Sequence, residues 1–353
     1  MSDITRKTRV LVTDDSAFMR RAIRQMLDEE PDIEVVAVAH DGKMAIEYAK
    51  QHEPDVITLD IEMPVMDGLT ALRHIMRQMP TQVLMISSLT TAGSVASLQA
   101  LRMGAADVIA KEHSTCAANI LEIKEHLVKR VRELAKARKP RTDKPTPPTP
   151  SNAIPQLNIR DYRILAIGSS TGGPPALEKI LPTLPADFPL PIVVAQHMPL
   201  VFTQSMSKRL DEVCAMKVVH ADHGTPILPG QIHIAPGAQH LHVTQKAAKL
   251  FATVNDEPAD AAYKPSVSAL FESCAKTMGR QTLGIVLTGI GDDGLTGAKT
   301  LHNLGATLIA QDEDSSVVYG MPRAIADANI ASALLNPEAI ATMLQNMLGK
   351  KAA

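Results

Sequence analysis

Val10-Leu11-Val12-Thr13-Asp14-Asp15 is a short apolar run that ends in two carboxylates, and the pattern recurs through the first third of the chain. Four further runs follow: Val35-Val36-Ala37-Val38, Val56-Ile57-Thr58-Leu59, Val83-Leu84-Met85-Ile86 and Val108-Ile109-Ala110. Residues with helical spacing separate them. Strands apolar along their whole length are buried on both faces, so this alternation predicts an α/β fold with a parallel sheet between two helical layers. Ligand sites in such sheets lie beyond the carboxyl ends of the strands. Asp14, Asp15, Asp60, Ser87 and Lys111 each directly follow one of the runs and so converge on one edge. Three carboxylates in one pocket repel unless a cation sits among them, and all-oxygen ligation suits Mg²⁺ better than zinc. With a metal bound, one carboxylate can attack a phosphoryl group and form an aspartyl phosphate. A lysine and a hydroxyl nearby can then hold the added oxygens.

The chain has 353 residues, long for one core and comfortable for two domains. The break is expected within residues 126–160, where a helical extension runs into a proline-rich linker. Residues 140–155 carry six prolines and almost no large apolar side chain, a composition that stays extended and cannot bury a core. Residues 129–144 hold eight Lys or Arg against Glu133 and Asp143, which reads as a solvated helix end. The formal charge of the whole chain is −2, so no nucleic-acid partner is expected. Neither a signal peptide nor a membrane-inserting segment is expected from the apolar pattern. Three scattered cysteines, Cys116, Cys214 and Cys274, suit a reducing cytoplasm.

Beyond the linker, Ile164-Leu165-Ala166-Ile167 leads into Gly168-Ser169-Ser170-Thr171-Gly172. Read as G-x-S-x-G, this is a strand–turn–helix nucleophile elbow with Ser170 at its tip. The following helix start offers N–H groups to a developing oxyanion. His197 follows a second apolar run, Ile192 to Gln196, and emerges on the same edge as a candidate base. A third run, Gly284 to Thr288, leads into Gly289-Ile290-Gly291-Asp292-Asp293-Gly294, whose acids can orient the histidine. Two other readings compete. His240-Leu241-His242 could place two imidazoles on one strand face, but no third zinc ligand is suitably spaced. Gly289-x-Gly291-x-x-Gly294, with Asp312 after the next apolar run, approaches a dinucleotide-binding fingerprint. Two acids in that loop would face a pyrophosphate, where each charge pair at about 4 Å costs roughly 4 kcal/mol at an effective dielectric near 20. Hydrolysis is therefore preferred.

Residues 5–125 resemble the receiver domain of bacterial response regulators. The matching pieces are Asp14-Asp15, Leu59-Asp60-Ile61-Glu62-Met63-Pro64 with Met66-Asp67-Gly68, Ser87-Ser88 and Lys111. The resemblance implies a flavodoxin-like domain over residues 1–125, phosphorylated on Asp60 by a chemotaxis histidine kinase. It implies Mg²⁺ held by Asp15, Asp60 and the Glu62 backbone carbonyl, with Asp14 in support. Ser87 would be the switch hydroxyl and Lys111 the phosphate partner. Val108 departs from the pattern, standing where many receivers carry an aromatic residue.

Residues 162–347, within an expected domain of residues 161–350, resemble the catalytic domain of the chemotaxis protein-glutamate methylesterases. The resemblance rests on Ile167-Gly168-Ser169-Ser170-Thr171-Gly172-Gly173, Gln196-His197-Met198-Pro199, Ile234-Ala235-Pro236-Gly237, Asp293-Gly294 and Val318-Tyr319-Gly320-Met321-Pro322. It implies a larger Rossmann-like domain with Ser170 as nucleophile, His197 as base and Asp293 as orienting acid. Asp292 and Ser169 are the fallbacks. The implied reaction is phosphorylation-activated hydrolysis of glutamate γ-methyl esters on methyl-accepting chemoreceptors, releasing methanol, with deamidation of certain glutamines. No cofactor is implied for the ester chemistry. The alternative is a phosphate-sink receiver fused to a nucleotide-binding domain.

Overall fold

The computed structural model describes residues 6–111, 117–137 and 154–349. The chain divides into two compact units, Met1–Asp143 and Lys144–Ala353. Most of the expected proline-rich linker, residues 138–153, and Cys116 lie outside the described residues. No described helix is long and apolar enough to cross a membrane.

In the first unit the apolar runs form β1 (Thr8–Thr13), β2 (Ile33–Ala39), β3 (Val56–Asp60), β4 (Gln82–Ser88) and β5 (Asp107–Lys111). They pair in parallel in the order 2-1-3-4-5, a flavodoxin-like doubly wound sheet. Helices α1 (Ala17–Asp28), α2 (Gly42–His52), α3 (Gly68–Gln78), α4 (Thr91–Arg102) and α5 (Ala117–Ala137) connect or follow the strands. Short polar residues set where the first four helices begin. Ser16, Asp41, Asp67 and Thr90 each accept a hydrogen bond from an N–H of the first turn. That leaves the preceding strand end and loop free to carry chemistry. The side of α1 that faces the sheet is apolar, burying Ile23 and Leu27.

In the second unit, β6 (Ile164–Ser169), β7 (Ile192–Gln196), β8 (Lys217–His220), β10 (Gln231–Ile234), β13 (Thr282–Val286), β14 (Thr307–Gln311) and β15 (Ala333–Leu335) form one sheet. Its order is 15-14-13-6-7-10-8, and every pairing is parallel. Without β10 this is the doubly wound Rossmann order, with the reversal between β6 and β13. Between them in the chain, β9 (Pro226–Ile227), β11 (His240–Lys246) and β12 (Lys249–Asn255) make a small antiparallel sheet. Helices α6 (Gly173–Ile180), α7 (Leu200–Val213), α8 (Val267–Thr277), α9 (Leu295–Asn303), α10 (Met321–Asp327) and α11 (Pro337–Asn346) complete the unit. Phe271, Leu270 and Cys274 of α8 pack into one apolar cluster with Ile164 and Ala166 of β6, Val193 of β7 and Leu241 and Val243 of β11.

One polar group breaks this apolar pattern. His233 on β10 is fully buried, and neither ring nitrogen has a hydrogen-bond partner. Burial pushes its pKa down to about 4, so the ring is neutral in the folded protein. The unfolded chain binds a proton at this residue below about 6.5 and the folded chain only below about 4. Stability from this site is therefore full above the higher value and lost as pH falls toward the lower. A separation of that size corresponds to about 3 kcal/mol. We expect His233→Leu to flatten the decline in the second unit's guanidinium midpoint between pH 6.5 and 4. An unchanged pH slope would show that the imidazole does not carry this term.

Candidate functional site

The first unit gathers its polar residues at the ends of β1, β3, β4 and β5. One carboxylate oxygen each from Asp14, Asp15 and Asp60 lie within 4.8 Å of one another. Asp14 and Asp60 are buried and Asp15 is exposed, which leaves one side of the cluster open to water. Lys111 Nζ lies 2.9 Å from Asp14 Oδ2 and 2.7 Å from Asp60 Oδ2. Burial raises Asp60 to about 6, against the opposing pull of Lys111. The lysine is itself moved upward: burial works against its charge, but the hydrogen bonds to Asp60 and Asp14 outweigh it. The Ser87 hydroxyl donates to the Gly93 carbonyl in the first turn of α4 at 3.1 Å. Glu62, two residues past Asp60, accepts from the Ser88 hydroxyl at 3.5 Å. Val108 stands half-buried on β5. This acidic, all-oxygen pocket fits a hard divalent cation that retains water ligands, such as Mg²⁺.

In the second unit, the ladder between β6 and β7 ends on the pair Ser169 and Gln196. Ser170 and His197 are the next residues on each chain, so the sheet itself makes them neighbours. Alternation along the strand separates the two serines. Ser169 is wholly buried and its hydroxyl donates to Gln196 Oε1 at 2.7 Å. Gln196 Nε2 in turn donates to the Ser170 carbonyl at 2.9 Å. Ser170 N–H donates to the Thr288 carbonyl at 3.0 Å, which ties the turn to the end of β13 on its other side. The turn leaves no room for side chains nearby. A Cβ on Gly289 would lie 2.7 Å from Ser170 Cβ, and Gly172 has φ +77°.

His197 Nε2 donates to Asp293 Oδ2 at 2.8 Å, while its buried Nδ1 has no hydrogen-bond partner. That nitrogen is the one left to receive a proton. The ring of Tyr263 stacks on the imidazole, with centroids 4.2 Å apart and planes 5° from parallel. Asp293 accepts four more hydrogen bonds: Val267 N–H (2.6 Å), Ser268 N–H (3.0 Å), Gly294 N–H (2.9 Å) and the Ser266 hydroxyl (3.0 Å). Val267 and Ser268 open α8, so the carboxylate sits on the positive end of a helix dipole. Burial alone would raise its pKa, but His197 and these N–H groups hold it well below the usual carboxylate range. The neighbouring Asp292 is exposed.

Sequence reasoning passed over Tyr263, Ser266 and the bridging role of Gln196. Gln196 could have been found, since it ends the apolar run beside the serine turn. Tyr263 and Ser266 lie in the irregular stretch before α8, where no periodicity marks them. His240 and His242 hold no metal-ligand cluster. His240 bonds Ser266 and Pro258, and His242 bonds Asn255 and the Glu257 carbonyl. Among the described residues, the only group of three or more potential metal ligands is Asp14, Asp15 and Asp60.

A receiver-type acidic pocket on one unit and a serine–histidine–aspartate constellation on the other define a response regulator fused to a hydrolase-like domain. Residues 10–120 match the response regulator receiver domain and residues 165–344 match CheB methylesterase. A protein-glutamate methylesterase/protein-glutamine glutaminase of Nitratidesulfovibrio vulgaris is 46% identical, the alignment covering 97% of this chain and 99% of that protein. One from Vibrio cholerae is 40% identical over 94% of this chain and 97% of its own length. The crystal structure of the Thermotoga maritima CheB methylesterase catalytic domain is 37% identical, with a TM-score of 0.51, covering 52% of this chain and 98% of that one. The chain belongs to the CheB methylesterase family.

That membership overturns the nucleotide-binding alternative, and the local geometry gives the reason. Gly320 and Met321 N–H both donate to the Gly289 carbonyl, so the glycine loop is packed against its own chain. Asp312 accepts from the Ser315 N–H and hydroxyl and is committed to its own turn.

Asp293→Asn should slow labelling of Ser170 by a fluorophosphonate probe by up to about 10⁴, since the amide cannot hold the same histidine tautomer. Asp292→Asn should label at the wild-type rate. Equal slowing at both positions, measured by intact-protein mass spectrometry, would defeat the assignment.

Proposed function

We propose that this chain is a protein-glutamate methylesterase and protein-glutamine glutaminase whose hydrolytic rate is raised by an aspartyl phosphate on Asp60. The observation that carries the reading is the Asp293–His197 contact beside Ser170, in a chain that aligns end to end with enzymes of that name. The substrates are methylated glutamates and certain glutamines of methyl-accepting chemoreceptors, and the phosphodonor is a chemotaxis histidine kinase. The site of action is the cytoplasm, and the outcome is sensory adaptation.

The Ser170 hydroxyl attacks the ester carbonyl and its proton passes to His197 Nδ1. Asp293 keeps the second ring proton on Nε2 and stabilises the imidazolium that forms. Collapse of the tetrahedral intermediate breaks the C–O bond, and methanol leaves with the proton held by His197. Water then attacks the acyl-enzyme, again giving a proton to His197, and glutamate is released as Ser170 recovers its own. A glutamine amide follows the same path with ammonia as the leaving group. Tyr263 covers one face of the imidazole and restricts the ring to its plane.

In the receiver, Asp60 is the phosphoacceptor; Asp15, Asp60 and the Glu62 carbonyl would hold Mg²⁺, with Asp14 in support. Bound Mg²⁺ supplies charge neutralisation for phosphoryl transfer. Lys111 and Ser87 are the partners for the added phosphoryl oxygens.

Ser170→Ala should abolish methanol release from methylated receptor membranes, by on the order of 10⁶ if it behaves as protease triad knockouts do. More than a few per cent of residual activity would remove Ser170 from its role. A small-molecule phosphodonor with Mg²⁺ should raise methanol release by the wild-type chain. Asp60→Asn should stay at the unstimulated rate, and a stimulated Asp60→Asn would place the phosphoacceptor elsewhere.

A further inference from the structure

Behind the Asp293–His197 contact lies a second, fully buried histidine, His240 on β11. Both of its ring nitrogens are engaged, and the partners dictate the tautomer. Ser266 N–H, which can only donate, lies 3.0 Å from Nδ1, so that nitrogen accepts. The Pro258 carbonyl, which can only accept, lies 3.2 Å from Nε2, so that nitrogen carries the proton. Burial lowers the pKa of this imidazole, which keeps it in the neutral form the two bonds require.

Ser266 is the N-cap of α8, and its hydroxyl works in two directions. It accepts from Ala269 N–H at 3.2 Å and donates to Asp293 Oδ1 at 3.0 Å. Asp293 Oδ1 also receives Ser268 and Gly294 N–H, while Oδ2 is left to His197 and Val267. The bonds on Oδ1 therefore fix the rotation of the carboxylate and aim Oδ2 at the imidazole. Without an acceptor at His240, the Ser266 N–H would be buried and unpaired, and the cap would be free to turn.

We propose that His240 is a positioning residue for the hydrolytic centre, holding the Ser266 cap in the geometry that locks the Asp293 carboxylate against His197. This rests on the reading that Asp293 orients His197 for Ser170. The reach is indirect, from His240 through Ser266 to Asp293, so His240 touches neither substrate nor reacting atoms.

The test uses the full chain and methanol release from methylated receptor membranes. His240→Leu and Ser266→Ala should each lower kcat by roughly tenfold, the size expected of residues sharing one hydrogen-bond network, with KM unmoved. The double variant should lose no more than the worse single one, because both act through the same bond. His240→Asn keeps an acceptor at the δ position and should recover most of the His240→Leu loss. A His240→Leu enzyme within twofold of wild type, or losses that multiply in the double variant, would overturn the proposal. If His240→Leu fails to fold by circular dichroism, Ser266→Ala and His240→Asn decide the matter. Ser266→Ala within twofold of wild type, or His240→Asn more than tenfold below it, then overturns the proposal. A Ser170→Ala control separates the two failures. Turnover that survives Ser170→Ala sinks the serine mechanism, whereas an inactive Ser170→Ala beside a fully active His240→Leu sinks only the role of His240.

Discussion

A carboxylate largely withdrawn from water must find hydrogen-bond donors or give up its charge, and Asp293, mostly shielded by its neighbours, organises the catalytic unit by meeting that demand. Five donors converge on two oxygen atoms. They come from the end of β7, the first turn of α8, its capping serine and the loop after β13. Each tie fixes one element relative to the others. Removing the carboxylate group would leave backbone N–H groups at the start of α8 without acceptors, each a cost of about 1–3 kcal/mol when buried. The polar centre is thus also a structural junction between the sheet and α8.

Asp60 shows the same problem met differently. It too sits buried at the carboxyl edge of a parallel sheet, yet its main compensation is one lysine, which it shares with Asp14. Burial consequently raises Asp60, while the helix start and the ring hold Asp293 down. The contrast follows the two chemistries. In the role proposed for it, Asp293 has to remain ionised through a catalytic cycle. A pocket with three carboxylates and one lysine is short of positive charge, which a divalent cation can provide.

The strands and their carboxyl-end residues were legible because buried parallel strands are apolar along their whole length and their ends carry the polar exceptions. His197 needed nothing more than that rule, whereas Ser170 also needed the G-x-S-x-G spacing that sets it apart from Ser169. The residues alone left Asp292 and Asp293 as candidates, the family resemblance favoured Asp293, and α8 is what Asp293 is bonded to in the structure. The seat of Asp293 was not legible. Ser266 and Tyr263 belong to an irregular segment whose place depends on the packing of α8 against β6 and β11. His240 and His242 drew attention as an alternating pair, but spacing alone cannot reveal that carbonyls and a backbone N–H already occupy their nitrogens. The glycine loop misled in the opposite way. Its spacing allows close backbone approach, and the structure uses that freedom to pack residues 319–321 and the serine turn instead of a pyrophosphate.

Strand order also explains why the constellation runs serine, histidine, acid along the chain. In the sheet, β6 lies between β13 and β7, so Ser170 stands at the middle strand with His197 on one side. The acid arrives from the strand on the other side. Adjacent strands are about 4.8 Å apart, so the ends of β13 and β7 are separated by nearly 10 Å. A residue directly following Val286 could not reach the imidazole across the serine turn. Asp293 lies seven positions further on, at the end of a loop that the Gly289 contacts hold down over β6. A tight glycine-containing loop and a late acid are two consequences of one geometric requirement, a carboxylate delivered across the central strand without covering Ser170.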